Sequence, residues 1–478
     1  VTFDFDPLFR PESVAVVGAS DNPGKLGFHV MKSLVDGGYP GRLLPVNPRK
    51  RRILGHDAHP SLEAVPGDVD LAIVVLPATM VPAIIQSCAR KGVRGIVLIT
   101  AGFKEIDDAS GAELQAEVAE AANQSGIPII GPNTFGIVNL HLPLNASFTP
   151  EFSRLSPGSV ALLSQSGGMA HLIGNLAMRA NLGFSKVVGL GNRCNVDFAE
   201  MLQWLADDPQ TEVIAMYMEG IEDPLRFLEV AGRTHRRKPL IIYKVGRSEV
   251  ADLASASHTG SLAGRHELYQ AGFRQKGIIS VDSAEALLDG AKALAQSPLP
   301  RGPKVAVLTG QAGLAMAACD TCEKHGLRLA TFSHRCQQEI NDRLPPLALR
   351  TNPVDMGPAW YDSPAIRGIV QAVQDDQEVD GILFYMVFAS ANANALKGIA
   401  DILMAWGQRK PLLACISAPF GVWDREIKRL EDSGALVNFP SPERAARAMA
   451  ILNQRRLILN QPRESDVENA IGGRRSFG

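Results

Sequence analysis

His258 stands in a run of small residues, with Ala254, Ser255, Ala256 and Ser257 before it and Thr259, Gly260 and Ser261 after it. Such a run suits a loop whose imidazole is approached by a large reactant. A neutral ring nitrogen carries a free lone pair near neutral pH, so His258 can act as a nucleophile. A phosphoryl group on that nitrogen would need its charge stabilised, which helix N-termini do. The second ring nitrogen needs an orienting acceptor. Glu219, expected at the carboxyl end of its strand, is the candidate. It reads equally as a solvated loop acid beside Glu222 and Asp223.

Two turns suit an anion. Ser164-Gln165-Ser166-Gly167-Gly168 and Thr309-Gly310-Gln311-Ala312-Gly313 each follow an apolar strand and open an apolar helix. If they face one another across a pseudo-twofold interface, two positive helix ends point at one phosphate. A pair of ordinary strand-to-helix turns is the alternative. A third turn, Gly18 to Gly27, has the same placement and includes Ala19, Ser20 and Lys25. Its backbone N–H groups suit a phosphate, or it is a plain tight turn. It lacks the G-x-G-x-x-G spacing of dinucleotide sites. The next strand ends in Pro45-Val46-Asn47-Pro48 without the acid that holds the ribose of NAD. Arg49, Lys50, Arg51 and Arg52 follow. They form either a solvated loop or a contact for a phosphate-rich ligand such as coenzyme A. Pro77-Ala78-Thr79, Thr100-Ala101 and Gly131-Pro132-Asn133 close further strands. Together these strand ends predict a nucleotide crevice, because ligands of doubly wound sheets bind there.

The elements that must position these residues follow from pattern. Apolar runs at Ser13–Gly18, Gly41–Val46, Leu71–Leu76, Gly95–Thr100 and Pro128–Ile130 alternate with helices such as Gly27–Asp36 and Gly111–Ser125. That alternation predicts an α/β domain with a parallel, doubly wound sheet. The rest of the chain repeats itself. Val160–Gly168 parallels Val305–Gly313. Asn195-Val196-Asp197 parallels Asn352-Pro353-Val354-Asp355. Tyr217-Met218-Glu219 parallels Tyr385-Met386-Val387, and Arg237-Lys238-Pro239-Leu240 parallels Arg409-Lys410-Pro411-Leu412. The order is the same in both halves. Domains are therefore expected over 1–145, 155–298 and 302–458, with a flexible tail over 461–478. The copies differ where chemistry would sit. Val387 replaces Glu219, and Ser417-Ala418-Pro419-Phe420 offers no histidine.

Composition sets outer limits. At about 150 residues per domain, 478 residues make roughly three domains. The formal net charge is −2, so the basic footprint of a nucleic-acid binder is missing. The apolar stretch Leu71–Ile85 is broken by Pro77 and Pro82 and falls short of a membrane span. Six cysteines are too sparse for a disulfide framework and fit a reducing compartment. Cys319 and Cys322 lie one helical turn apart and lack a second ligand pair for zinc. Val1-Thr2-Phe3-Asp4 has no basic-then-apolar leader, so a cytoplasmic location without membrane contact is expected.

These residues together resemble the α subunit of NDP-forming acyl-CoA synthetases, such as ADP-forming acetate–CoA ligase. They are more distantly similar to the α subunit of succinyl-CoA synthetase. The resemblance runs from about Phe9 to about Leu459. Its most specific segment is Lys244-Val245-Gly246-Arg247 through Gly264. It implies a Rossmann-like CoA-binding domain followed by two flavodoxin-like domains. It also implies that His258 is transiently phosphorylated, that Glu219 hydrogen-bonds it, and that coenzyme A binds the first domain. The implied reaction converts acyl-CoA, ADP and phosphate to a small carboxylic acid, CoA and ATP, reversibly, through an acyl phosphate. With all three domains assigned, no segment is left for an ATP-grasp module. ATP or ADP and Mg2+ are thus expected on a separate β subunit, in an α2β2 or similar assembly. The turn Thr309–Leu314 departs from the family in being less glycine-rich. A non-catalytic CoA-binding regulatory subunit is the alternative, and His258 speaks against it. An NAD-dependent oxidoreductase is disfavoured by the missing acid after the second strand.

Overall fold

The computed structural model describes residues 3–106, 108–248, 266–359, 362–405 and 409–462. His258 and its flanking small residues lie outside these. The chain divides into two compact units, Val1–Ala291 and Lys292–Gly478.

The first unit holds two sheets. One is parallel throughout, in the order Arg42–Val46, Ser13–Val17, Leu71–Val74, Gly95–Leu98, Ile129–Ile130. The Ser13–Val17, Leu71–Val74 and Gly95–Leu98 strands are buried along their whole length. Helices cover both faces, which is why these strands read as unbroken apolar runs. The second sheet runs Ile278–Val281, Leu240–Lys244, Val213–Met218, Pro157–Ser164, Phe184–Gly189 in parallel, the flavodoxin-like order. The hairpin Gly136–Asn139 and Leu144–Ser147 then extends it by antiparallel pairing. The sequence placed this hairpin at the end of the first domain; its hydrogen bonds belong to the second sheet.

Both sheets share one core. It runs from Phe5, Leu8 and Phe9 through Val16 and Ile130 to Leu163, Met201 and Met216. Phe9 stacks on Trp204 with ring centroids 4.4 Å apart. Asn195 stitches the sheets further. Its Nδ2 donates to the Ile127 carbonyl at 2.9 Å, and its Oδ1 accepts from the Ile129 N–H at 3.0 Å. The outermost strand of the first sheet thus finds partners on its open edge.

The second unit has one parallel sheet, Arg328–Leu329, Lys304–Thr309, Gly381–Val387, Leu412–Ser417, Val437–Asn438. Val354–Asp355 pairs beside the carboxyl end of Lys304–Thr309. Separate apolar clusters fill its two faces.

Equivalent hydrogen bonds confirm the repeat. The Gln165 N–H donates to the Tyr217 carbonyl, as the Gly310 N–H does to that of Tyr385. The Ser164 Oγ donates to the Ser166 carbonyl and the Thr309 Oγ1 to that of Gln311, each at 2.7 Å. Glu219 and Val387 therefore occupy the same position. The Lys-Pro motif is also explained. Lys238 donates to the Asp208 carbonyl and Lys410 to the Asp376 carbonyl, so each lysine closes the loop before a central strand. Asn195 and Asn352 diverge. The Asn352 amide bonds Val305, Val307 and Ala330 of its own sheet, whereas Asn195 reaches the other sheet.

Candidate active site

In the first unit, the loops that leave the carboxyl ends of both sheets are laced together. Gly18 closes the Ser13–Val17 strand with φ +94°, and a Cβ there would lie 2.2 Å from the Val75 carbonyl oxygen. Only glycine lets the two strand ends approach so closely. Ala19 and Ser20 are buried beyond it, and the Ala19 carbonyl accepts from Asn47 Nδ2 at 2.8 Å. The Ser20 Oγ accepts from the Asn22 N–H at 3.0 Å. Lys25 is exposed at the start of helix Leu26–Asp36. Pro48, Pro77 and Thr79 are exposed at neighbouring strand ends, as is Ala101. Thr100 is buried, with its Oγ1 donating to the Leu76 carbonyl at 2.8 Å. The predicted cofactor residues of the first sheet thus gather on one edge.

Gly131-Pro132-Asn133 is the next loop, with a cis peptide before Pro132. The Asn133 N–H donates to the Thr100 carbonyl at 2.8 Å. Against this loop lies Gly191 to Cys194, from the second sheet. The Asn192 N–H donates to the Pro132 carbonyl at 2.8 Å, and the Cys194 N–H to that of Gly131 at 2.9 Å. A Cβ on Gly191 would lie 2.2 Å from the Pro132 carbonyl oxygen.

A buried polar network continues the contact. Asn192 Nδ2 donates to Glu105 Oε2 at 2.6 Å and to Gln115 Oε1 at 3.2 Å. Its Oδ1 accepts from Asn133 Nδ2 at 3.3 Å. Glu105 also accepts from the Gly102 N–H at 2.6 Å. Burial works to raise the Glu105 pKa, but the Gly102 N–H and the Asn192 amide outweigh it and hold the carboxyl below its ordinary range. Arg193, 5% exposed, points the other way. Its Nη1 donates to the Gly220 carbonyl at 3.1 Å, its Nε lies 3.3 Å from Asp197, and its Nη2 lies 3.7 Å from Glu222. Burial pushes the Asp197 carboxyl up in spite of that guanidinium.

Glu219 closes the central Val213–Met218 strand of the second sheet, half-buried. Its N–H and that of Gly220 both donate to Gln165 Oε1, at 2.8 and 3.1 Å. The Tyr217 phenol lies within the field of the Glu219 carboxylate. Burial, then that carboxylate, hold the phenol well above its ordinary pKa. Ser166 caps helix Gly167–Arg179, its Oγ accepting from the Met169 N–H at 3.4 Å. Ser164 and Gln165 are buried, while Gly168 is exposed on the first helical turn.

Gln311, Ala312 and Gly313 lie in the second unit. The Gln311 amide is committed to its own strand end. Its Nε2 donates to the Val387 carbonyl at 2.8 Å, and its Oε1 accepts from the Val387 N–H at 3.2 Å. Gln165 and Gln311 stand one position apart in their turns, yet each ties the turn to the end of the central strand. Among the described residues, no three His, Cys, Asp or Glu side chains group to hold a metal. Likewise, no described helix is long and apolar enough to cross a membrane.

Sequence reasoning missed Glu105, Asn192 and Arg193. The signal was present, because Gly191-Asn192-Arg193 follows the Phe184–Gly189 strand as closely as the chosen residues follow theirs.

Residues 12–139 match a CoA binding domain, and residues 157–294 match a succinyl-CoA ligase like flavodoxin domain. The chain is 37% identical over 460 residues to the acetate–CoA ligase (ADP-forming) II subunit alpha of Pyrococcus furiosus, covering 94% of this chain and 97% of that one. It is 38% identical to the acetate–CoA ligase (ADP-forming) I of Archaeoglobus fulgidus, of whose length it spans 63%. Its fold matches the dinucleotide-forming acetyl-coenzyme A synthetase 1 of Candidatus Korarchaeum cryptofilum, solved with phosphate and ADP. The TM-score is 0.88 at 33% identity, covering 95% of this chain and 97% of that one.

Proposed function

Since the chain belongs to the α-subunit family of ADP-forming acetate–CoA ligases, we propose that it works as the phosphoryl-carrying half of such a ligase, with His258 as the carrier. The observation that carries this reading is the treatment of Glu219. Two N–H bonds to Gln165 and the Arg193–Gly220 contact fix one acid at a strand end. The equivalent position of the duplicated domain holds Val387. An acid so constrained suits the orientation of a second group.

The chemistry follows in balanced steps. A phosphate oxygen attacks the thioester carbonyl of acyl-CoA. The C–S bond breaks, CoA leaves as a thiolate that takes up a proton, and an acyl phosphate remains. The neutral nitrogen of His258 attacks the phosphorus, the bond to the acyl oxygen breaks, and the carboxylate leaves. The ring then carries positive charge, which Glu219 offsets by accepting from its other N–H. Transfer of the phosphoryl group to ADP restores the histidine. The turn Ser164–Gly168 supports the phosphate reading through its capped helix N-terminus. Gln311, Ala312 and Gly313 are proposed as phosphate or substrate contacts of the second unit.

Coenzyme A is proposed to lie along Gly18, Ala19, Ser20, Lys25, Asn47, Pro48, Pro77, Thr79, Thr100, Ala101, Gly131 and Asn133. Their support is the shared carboxyl edge of a parallel sheet. Nucleotide and Mg2+ are assigned to an ATP-grasp β subunit in an α2β2 or similar complex, and the location to the cytoplasm. The acid is a small carboxylate, to be fixed by screening acids for thioester formation with the β subunit.

The test is transfer of label. [γ-³²P]ATP with the β subunit and Mg2+ should give an acid-labile label on this chain that is absent from His258→Ala. An acid-stable label, or a label kept by the variant, rejects the proposal.

A further inference from the structure

The loop Gly191-Asn192-Arg193 serves two sites with two neighbouring side chains. Asn192 bonds Glu105, whose carboxylate holds the Gly102 N–H of a strand-end loop in the first sheet. Arg193 bonds the carbonyl of Gly220, the residue after Glu219. Outside them, Lys104 pairs with Glu222 at 2.7 Å, and Glu222 approaches Arg193 at 3.7 Å.

Arg193 adopts φ +59°. A non-glycine residue there is uncommon and costs conformational energy, which the surrounding bonds must offset. In that conformation Asn192 and Arg193 reach opposite ways. The guanidinium is anchored by Asp197, which caps helix Phe198–Asp207, so it is tied to a rigid element. Its Nη1 then holds the Gly220 carbonyl while Gln165 holds the Glu219 and Gly220 N–H groups.

We propose that Arg193 is a positioning residue for phosphoryl transfer, fixing the Glu219–Gly220 turn so that the Glu219 carboxylate stays aligned with its histidine. It acts through Glu219 and touches no reacting atom. The proposal rests on the reading of Glu219 as the acid that orients His258.

A double-mutant cycle tests it on the full chain with its β subunit and Mg2+. Single-turnover labelling from [γ-³²P]ATP is measured for wild type, R193M, R193K, E219Q and R193M/E219Q, with CoA affinity by calorimetry for each. Misplacing a group of this kind slows R193M by about 10- to 100-fold. CoA affinity stays at the wild-type level. R193K, which keeps the charge and loses the fork, falls between the two. The double variant is no slower than E219Q, because the removed arginine acts only through that acid. Wild-type labelling in R193M overturns the assignment, as does a slowdown that multiplies in the double variant. Loss of CoA affinity parallel to the loss of labelling also overturns it. E219Q labelling at the wild-type rate is a separate failure, because it removes the role of Glu219 itself. If R193M does not fold, R193K decides, with wild-type labelling again overturning the assignment.

Discussion

The side-chain oxygen of Gln165 accepts the backbone N–H of Glu219 at 2.8 Å and, from the same direction, that of Gly220 at 3.1 Å. One amide oxygen therefore sets where the Glu219 carboxylate begins. Gln165 is 8% exposed, so water does not readily replace it.

Gln165→Leu keeps the volume and removes the acceptor. Leaving a buried N–H without a partner costs about 1–3 kcal/mol. Thermal unfolding should show a lower transition temperature for the first unit, and labelling of the chain by ATP should slow. An unchanged melt with unchanged labelling would show that Gln165 is not what fixes the turn.

Asn195 joins the edge strand Ile129–Ile130 to the second sheet through one donor and one acceptor. Asn195→Ala removes both, at a cost of about 1–3 kcal/mol from the orphaned groups. Hydrogen exchange should accelerate at the Ile129 amide first, since its acceptor is gone. Asn352→Ala should instead expose Val307, whose N–H is held by Asn352 Oδ1 at 2.9 Å. Equal protection patterns in the two variants would contradict the divergence of the repeat.

Lys186 and Asp208 form an ion pair at 2.7 Å with both side chains fully buried. Gln210 and the Thr211 hydroxyl complete it, at 2.9 Å to Lys186 and 2.6 Å to Asp208. Removing one partner leaves a buried charge, which costs about 3–5 kcal/mol, whereas an apolar replacement of both can be neutral. Lys186→Met and Asp208→Leu should each be strongly destabilising, and the double variant less so than either. Additive losses in urea unfolding would refute this.

Tyr217 carries a pH signature. Its folded pKa lies above the ordinary phenol value, through burial and the Glu219 carboxylate. The unfolded chain therefore releases this proton first as pH rises. The stabilisation is fully present below the unfolded value of about 10 and declines above it, toward the higher folded value. Tyr217→Phe should flatten the loss of stability between about pH 10 and 11. An identical alkaline slope in the variant would mean that the phenol is not held neutral by the fold.

Much of this was legible from the chain. The strands Ser13–Val17, Leu71–Val74 and Gly95–Leu98 lie where the apolar runs predicted them, because a strand buried on both faces needs an unbroken apolar run. The duplication was legible as well, since each copy must rebuild the same local turn and the same Lys-Pro strand entry. Glu219 was singled out because Val387 stands at its position in the other copy.

Other features needed the folded chain. That Asn195 and Asn352 clamp different sheets cannot be read from two similar short motifs, because their partners at Ile127, Ile129 and Ala330 are set by chain crossings. The hairpin Gly136–Ser147 has no sequence mark that assigns it to the second sheet; the free edge of Phe184–Gly189 does that. The sequence places Arg193 just after a strand, but only packing buries it between Gly220 and Asp197. The sequence by itself determined which elements form and which copy retains the acid, since period and composition act over short distances. The tertiary structure decided what each polar side chain is bonded to, since a hydrogen bond depends on distance in space and not along the chain.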